Sequence, residues 1–464
     1  MAAMAATEAS TSDAIVARLE RLPFSGVHAR IMTILGFGTF FDSYDTLAIA
    51  SALTVLPAIL HIDLVTAGLL IGLAYVGQLF GAILFGILSE LYGRKAAYVG
   101  SLLTMGLFSL GSALAWDFQS LLMFRILAGI GLGGEVPVAG AMMTEFVQGH
   151  RRGRHFFVYQ TLYSWGNLLT PLIGFGLISA AGPALGWRLL LGLGSLPVIV
   201  GLISLVLLPE SIRWLVDKGR LSQADEVLGR IEKTLQARGT ALPPYQVRAR
   251  ADVQPVRFGE LFRGGYGRRT ALCWLQWFCC YIPTVGLATW LPSLYTRIAH
   301  LPPQQGLLLT VLSTLCGLIA AYICAFGLID RLGRKPTFCI GFGGMALGAL
   351  IGVAEVAGGA QGWQPLFIAA CVILVFLPLN AQGAYLYTSE LFPTRMRAWA
   401  SSTGRGSGLV ASIVAPIAVG ALLASTLGAA GMFGLFALMS LLGLITIRAL
   451  GIETKGAVLE EVSA

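Results

Sequence analysis

The sequence predicts an all-α membrane protein of twelve transmembrane helices, arranged as two pseudo-symmetric six-helix halves. Three observations lead there: an apolar composition, apolar runs of about twenty residues along the whole chain, and charged motifs that recur between the halves. Of 464 residues, 56% are hydrophobic and 12% charged, and the mean hydropathy is +0.78. Soluble proteins carry about a quarter charged residues, and a soluble core cannot absorb this much apolar surface. Runs long enough to cross ~30 Å of hydrocarbon at ~1.5 Å per residue fall near 31–56, 65–88, 97–115, 119–141, 156–180, 188–208, 270–295, 307–329, 337–356, 365–388, 399–424 and 427–450.

Charge placement sets the expected topology. With the N-terminus, the C-terminus and every second loop on one side, 27 of the 31 Lys and Arg lie there, twelve of them in 209–269. Arg188 and Arg297 fall in opposite-side loops, while Arg125 and Arg405 lie inside spans. Basic residues are retained on the cytoplasmic side, so both termini and the central loop are expected in the cytoplasm. The net charge of +8 is then a topology signal, not a nucleic-acid footprint. The first thirty residues lack the pattern of a cleaved signal, which predicts that the first span is retained. Residues 13–24 read as a short amphipathic cytoplasmic helix. The chain divides into a cytoplasmic segment 1–30, a first half 31–208, a cytoplasmic loop 209–269 with short amphipathic helices, a second half 270–450 and a tail 451–464.

All seven cysteines lie in second-half spans and read as apolar filler. No disulfide framework, metal site or other cofactor is expected. The two asparagines, Asn167 and Asn380, open no glycosylation sequon, which favours a bacterial inner membrane. A monomer in the lipid bilayer, with no nucleic-acid partner, is the expectation.

Two motif pairs support a duplication. Glu90 stands three residues before Gly93-Arg94-Lys95, and Asp330 three residues before Gly333-Arg334-Lys335, 240 residues on. Glu145 precedes Arg152 by seven residues, and Glu390 precedes Arg397 by seven, at an offset of 245. Parallel halves of this kind place a substrate site near the bilayer midplane between them. The 209–269 loop has no phosphate-cradling glycine loop and no Cys/His spacing, which weighs against an ATP-driven pump.

These segments resemble the major facilitator superfamily, over essentially the whole chain. Pro209-Glu-Ser-Ile-Arg213 and Glu453-Thr-Lys-Gly456 are similar to its sugar-porter branch. Phe41-Asp42-Ser-Tyr-Asp45, Gly133-Gly134-Glu135-Val-Pro137, Trp290-Leu-Pro292 and Gly404-Arg405-Gly406 resemble its proton-coupled carriers of aromatic acids and nicotinate. Gln276 stands on the seventh helix without the glutamine pair that sugar porters use. The resemblance implies the major facilitator fold, alternating access and a small organic anion as substrate. It also implies ion-pair latches at Glu90, Arg94, Glu145 and Arg152 in one half, and at Asp330, Arg334, Glu390 and Arg397 in the other.

Charged side chains near a bilayer centre face a cavity or a partner and are functional candidates by default. Here they are Asp42, Asp45, Arg125, Glu135 and Arg405. Asp42 and Asp45 are three residues apart, and two close carboxylates disfavour joint ionisation. No histidine lies inside a span, so any proton coupling must use carboxylates: Asp45 with Arg125, and Asp42 and Glu135 as further candidates. The resemblance implies that Asp45 exchanges Arg125 for a proton; a permanent salt bridge between two helices is the other role open to the pair. Arg405 offers a two-pronged match to a carboxylate, or else snorkels to the interface. Gln160, Asn167, Tyr385, Gln276, Tyr44 and Tyr163 are candidate cavity groups, with helix packing the alternative for each aromatic.

The expected function is a proton-coupled symporter for an aromatic or heteroaromatic monocarboxylate, with a sugar or polyol porter as the alternative. A transport-silent receptor is disfavoured by the buried charges. An enzyme is disfavoured because the spans offer no nucleophile and base pairing.

Overall fold

The computed structural model describes residues 2–146, 152–237, 239, 241–245, 247, 258–324, 329–359, 362–393 and 396–454. The side chains of 2–10, 152–158, 160, 329–330 and 398 are outside that description. The elements of the first half are α1 (Ala2–Glu20), α2 (Gly26–Ala52), α3 (Leu56–Leu60), α4 (Leu64–Tyr92), α5 (Arg94–Ala113), α6 (Phe118–Phe146), α7 (Arg152–Leu193) and α8 (Pro197–Leu207). The loop holds α9 (Ile212–Asp217) and α10 (Leu221–Ala237). The second half comprises α11 (Tyr266–Arg297), α12 (Pro303–Ile323), α13 (Ile329–Leu332), α14 (Arg334–Ala357), α15 (Gln364–Leu391), α16 (Arg397–Ala424) and α17 (Gly428–Leu450).

Ten helical stretches among the described residues are long and apolar enough to cross a membrane. One of them, 161–207, holds two crossings, because helical geometry breaks at Gly182 (φ 75°) just before Pro183. The twelfth is α2, whose apolar run is interrupted by Asp42 and Asp45. The loop expected between the fifth and sixth spans therefore shrinks to a kink. Arg188, expected in that loop, sits instead within the helix, and its Nη1 donates to the Ala113 carbonyl at 2.7 Å. The N-terminal helix begins at Ala2, well before the expected residue 13.

Glycine decides how closely α4, α5 and α6 approach. A Cβ at Gly77, Gly81, Gly129 or Gly133 would run into backbone of the facing helix, α6 or α4. Gly131 is pressed in the same way on Met105 of α5. Without a hydrophobic driving force between helices in lipid, such backbone contact is a main source of helix association.

Between the halves, the same device closes the face opposite the termini. A Cβ at Gly68 would stand 2.6 Å from the Pro416 carbonyl, and one at Gly420 would stand 2.6 Å from the Leu64 carbonyl. Thus α4 and α16 are sealed at that face. Gly68→Val overpacks this seal, and overpacking costs about 1–3 kcal/mol. Solute uptake is expected to fall about tenfold or more, and a cysteine placed at Ile417 should become reactive to an impermeant maleimide. Unchanged uptake and an unreactive cysteine would show that the Gly68 contact does not hold this face closed.

The termini-bearing face carries the charged motifs. Gly93 (φ 108°) and Gly333 (φ 92°) adopt backbone conformations that residues with a Cβ rarely reach. Each turn lets a glutamate cap the helix that follows. Glu210 accepts from the Lys95 amide at 3.1 Å, and Glu453 accepts from the Arg334 and Lys335 amides at 2.8 and 3.0 Å. Anions at helix N-termini satisfy orphan amides and meet the favourable end of the dipole. These two glutamates lie 243 residues apart, a third repeated pair. Close by, α1 docks on α10: Arg18 and Arg21 pair with Glu232 at 2.6 and 2.7 Å, and Ile15, Leu19 and Leu22 are buried. Burial works against the Glu232 carboxylate, yet the two guanidiniums hold it below the usual range.

Candidate functional site

Asp45 and Arg125 meet inside the first half. Both are buried, at 1% exposure each. The guanidinium grips the carboxylate with both terminal nitrogens, Nη1 to Oδ1 at 3.2 Å and Nη2 to Oδ2, and Ser109 donates to Oδ1 at 2.5 Å. The Arg125 Nε has no partner. A pair this dry holds together because each charge is the other's main compensation, and removing one leaves the other stranded.

Asp42, one helical turn earlier, faces elsewhere. A spacing of three residues turns the side chain by about 60° around α2, enough to send Asp45 into the first half and Asp42 towards the second. Asp42 interacts electrostatically with Arg405 across the interface as well as with Asp45. Arg405 is partly exposed, donates through Nη1 to the Tyr385 hydroxyl, and lies within electrostatic reach of Tyr281, Asp42 and Tyr163. Among the described residues no carboxylate lies within ion-pair distance of it. Trp277 braces this wall: its ring meets Tyr385 edge-on at 4.6 Å, its Nε1 donates to Thr388 at 3.1 Å, and it packs against Gly404 and Gly408. An added Cβ at Gly406 would meet nothing within 4 Å. The result is a central guanidinium among phenols from both halves.

The other expected groups divide. Tyr163 is half-buried and interacts with Asp42, Tyr385 and Arg405. Asn167 is half-buried and accepts from Ser43 at 2.7 Å. Gln276 is fully buried with both amide atoms unpartnered. Glu135 is fully buried beside Thr39, at 3.1 Å. The Gln160 side chain lies outside the described residues. Tyr44 does not line the interface: it is buried in the first half and donates to the Leu190 carbonyl at 2.8 Å.

At the termini-bearing face, Arg94 pairs with Glu90 at 2.7 Å and Glu145 at 3.3 Å, and Arg334 pairs with Glu390 at 2.7 Å. Arg397 is not the second partner expected for Glu390. Its Nε and Nη2 are buried without partners, and Thr454 takes the place by donating to Glu390 at 2.5 Å. The Arg152 and Asp330 side chains lie outside the described residues.

Several groups of the site were not expected from the sequence. Tyr281 and Trp277 sit four residues apart on one face of α11, and this aromatic i, i+4 pair was the available signal. Ser109, Thr39 and Tyr159 gave none, since single hydroxyls in apolar helices are common.

Residues 26–464 match the family model described as "Sugar (and other) transporter". The chain belongs to this family. Its relatives include the niacin transporter NiaP of Acinetobacter baylyi, 32% identical over 456 residues and covering 97% of this chain and 99% of the relative. The 4-hydroxybenzoate transporter PcaK of Pseudomonas putida is 29% identical over 453 residues, covering 95% of each. The fold matches an inward-open structure of the xylose transporter XylE from E. coli, with a TM-score of 0.74 at 20% identity over 94% of this chain and 99% of that one. The chain is thus a multi-pass membrane transporter of the major facilitator fold.

Proposed function

We propose that this family member is a proton-coupled symporter that imports an aromatic or heteroaromatic monocarboxylate by alternating access. One observation supports the anion above all: Arg405 stands between the halves with a phenol, and no carboxylate, as its bonded partner among the described residues. A guanidinium in a low-dielectric site favours an anion, and its planar fork matches a carboxylate. Tyr385, Tyr281, Tyr163 and Trp277 supply ring faces and edges for an aromatic body. The names of NiaP and PcaK, niacin and 4-hydroxybenzoate, are both ring monocarboxylates.

The proton device is Asp45 with Arg125. A proton on Asp45 removes one half of the buried pair and frees Arg125, so the two protonation states favour different packings of α2 on α6. The cytoplasmic latches at Arg94 and Arg334 open and reform as the halves rock, with both termini in the cytoplasm. Asn167 and Tyr385 orient the ring, and the protein works as a monomer in a bacterial inner membrane.

A neutral sugar or polyol would use the unpartnered Gln276 amide but would leave Arg405 without a counter-charge. A binding panel separates the two. Quenching of tryptophan fluorescence by nicotinate or benzoate, with no response to nicotinamide or hexoses, is the expected result. Hexose binding without acid binding would reverse the assignment.

A further inference from the structure

Glu135 and Asp42 are the buried carboxylates of the described spans that the coupling scheme above leaves without work, and Glu135 is the more deeply buried of the two. Glu135 lies in α6, fully buried, ten residues from Arg125 on the same helix. Its Oε1 accepts from Thr39 at 3.1 Å, while Thr39 also contacts the Tyr159 hydroxyl at 2.5 Å. Its Oε2 is buried with no partner. Among the described residues no cation is within ion-pair distance. Space is reserved for it: a Cβ at Gly38 would stand 2.6 Å from Oε1. The groups facing it are Thr39 and Asp42 from α2, Tyr98 from α5, Tyr159 from α7 and, across the interface, Arg405 from α16. From α4, Tyr75 faces Asp42 and Tyr163 instead.

An ionised carboxylate with a single hydrogen bond and one bare oxygen in this setting is strongly disfavoured, whereas the neutral acid needs only what is there. The charge balance of the site agrees. Arg125 and Arg405 carry two positive charges against three acids, Asp42, Asp45 and Glu135. With a bound monocarboxylate, two of the three acids must be protonated for the buried site to be neutral; when empty, one. One proton therefore stays while another cycles, and Glu135, fully buried with one bare oxygen and no cation within ion-pair distance among the described residues, is better placed to keep it than Asp42, which is 8% exposed.

Resting on the anion assignment, we propose that Glu135 is a second proton-holding acid, distinct from the Asp45 device, that must be neutral whenever Arg405 carries an anion. Deprotonation at alkaline pH would add a negative charge within reach of Arg405 and Asp42 and oppose anion binding.

The test is nicotinate and benzoate binding to the purified full chain in lipid nanodiscs across pH, for wild type, Glu135→Gln and Asp45→Asn. In the wild type, the alkaline limb should steepen towards about two tenfold losses of affinity per pH unit, the linkage signature of two protons. Glu135→Gln should reduce this to about one and bind about tenfold or more tighter than wild type at the alkaline end. A Glu135→Gln limb as steep as wild type overturns the proposal. Infrared difference spectra of the substrate-free protein decide independently of any ligand. A protonated-carboxyl band present at neutral pH in wild type and missing in Glu135→Gln supports the assignment, and the same band in both overturns it. If neither acid binds the wild type, the substrate assignment fails while the infrared result still judges Glu135.

Discussion

Replacing Arg405 by Gln is expected to weaken nicotinate or benzoate binding by roughly 30- to 3,000-fold. Truncating one partner of a buried charged hydrogen-bonded pair costs about 2–5 kcal/mol, and each ~1.4 kcal/mol is tenfold. The effect should be specific to charge. Gln is shorter and keeps only a neutral hydrogen-bond donor, so loss of the acid with no change in thermal stability points to the missing guanidinium. Arg405 is bonded to Tyr385 and makes no ion pair with a carboxylate among the described residues, so its removal breaks no salt bridge, although Asp42 and Glu135 lose its longer-range attraction. Lys at this position should restore binding only in part, since an ammonium lacks the planar fork. Titration of each variant with nicotinate, followed by tryptophan fluorescence, checks the order wild type, Lys, Gln. Equal affinities across the three would remove Arg405 from the site.

The second large effect is at Asp45. Asp45→Asn should abolish accumulation against a gradient while leaving exchange of substrate across the membrane. The neutral side chain cannot exchange a proton, yet the loaded carrier can still rock. The variant should also lose stability, on the order of 3–5 kcal/mol, because Arg125 is left buried with no carboxylate. Adding Arg125→Gln should recover part of that stability without restoring accumulation. A purely structural pair would behave otherwise: exchange and accumulation would fall together with the melting temperature and recover together in the double variant.

Most of the fold was legible because it follows from solvent. Twenty-residue apolar runs and one-sided basic residues leave few arrangements, and the motif repeats at Glu90/Asp330 and Glu145/Glu390 carried the duplication. The turn at Gly182 was not legible, since both flanks are apolar and only the backbone angle separates two crossings from one. Side-chain direction was the harder part. Asp42 and Asp45 looked like one cluster by spacing, yet the rotation between them sends each to a different partner. Tyr44 and Tyr281 are both tyrosines near the middle of a span; only the packing of α2 on α7 turns the first inward to Leu190. Arg397 kept the motif spacing, but Glu390 was already met by Arg334 and Thr454. Spacing along one helix says which residues share a face, not which helix that face will meet.

Uptake into proteoliposomes under an imposed pH gradient, acid outside, tests the central claim most directly. Nicotinate or benzoate should accumulate above the external concentration, collapse with a protonophore, and fail to accumulate in Asp45→Asn or bind in Arg405→Gln. Hexose accumulation that survives Arg405→Gln, or acid uptake that is indifferent to the gradient, would contradict it.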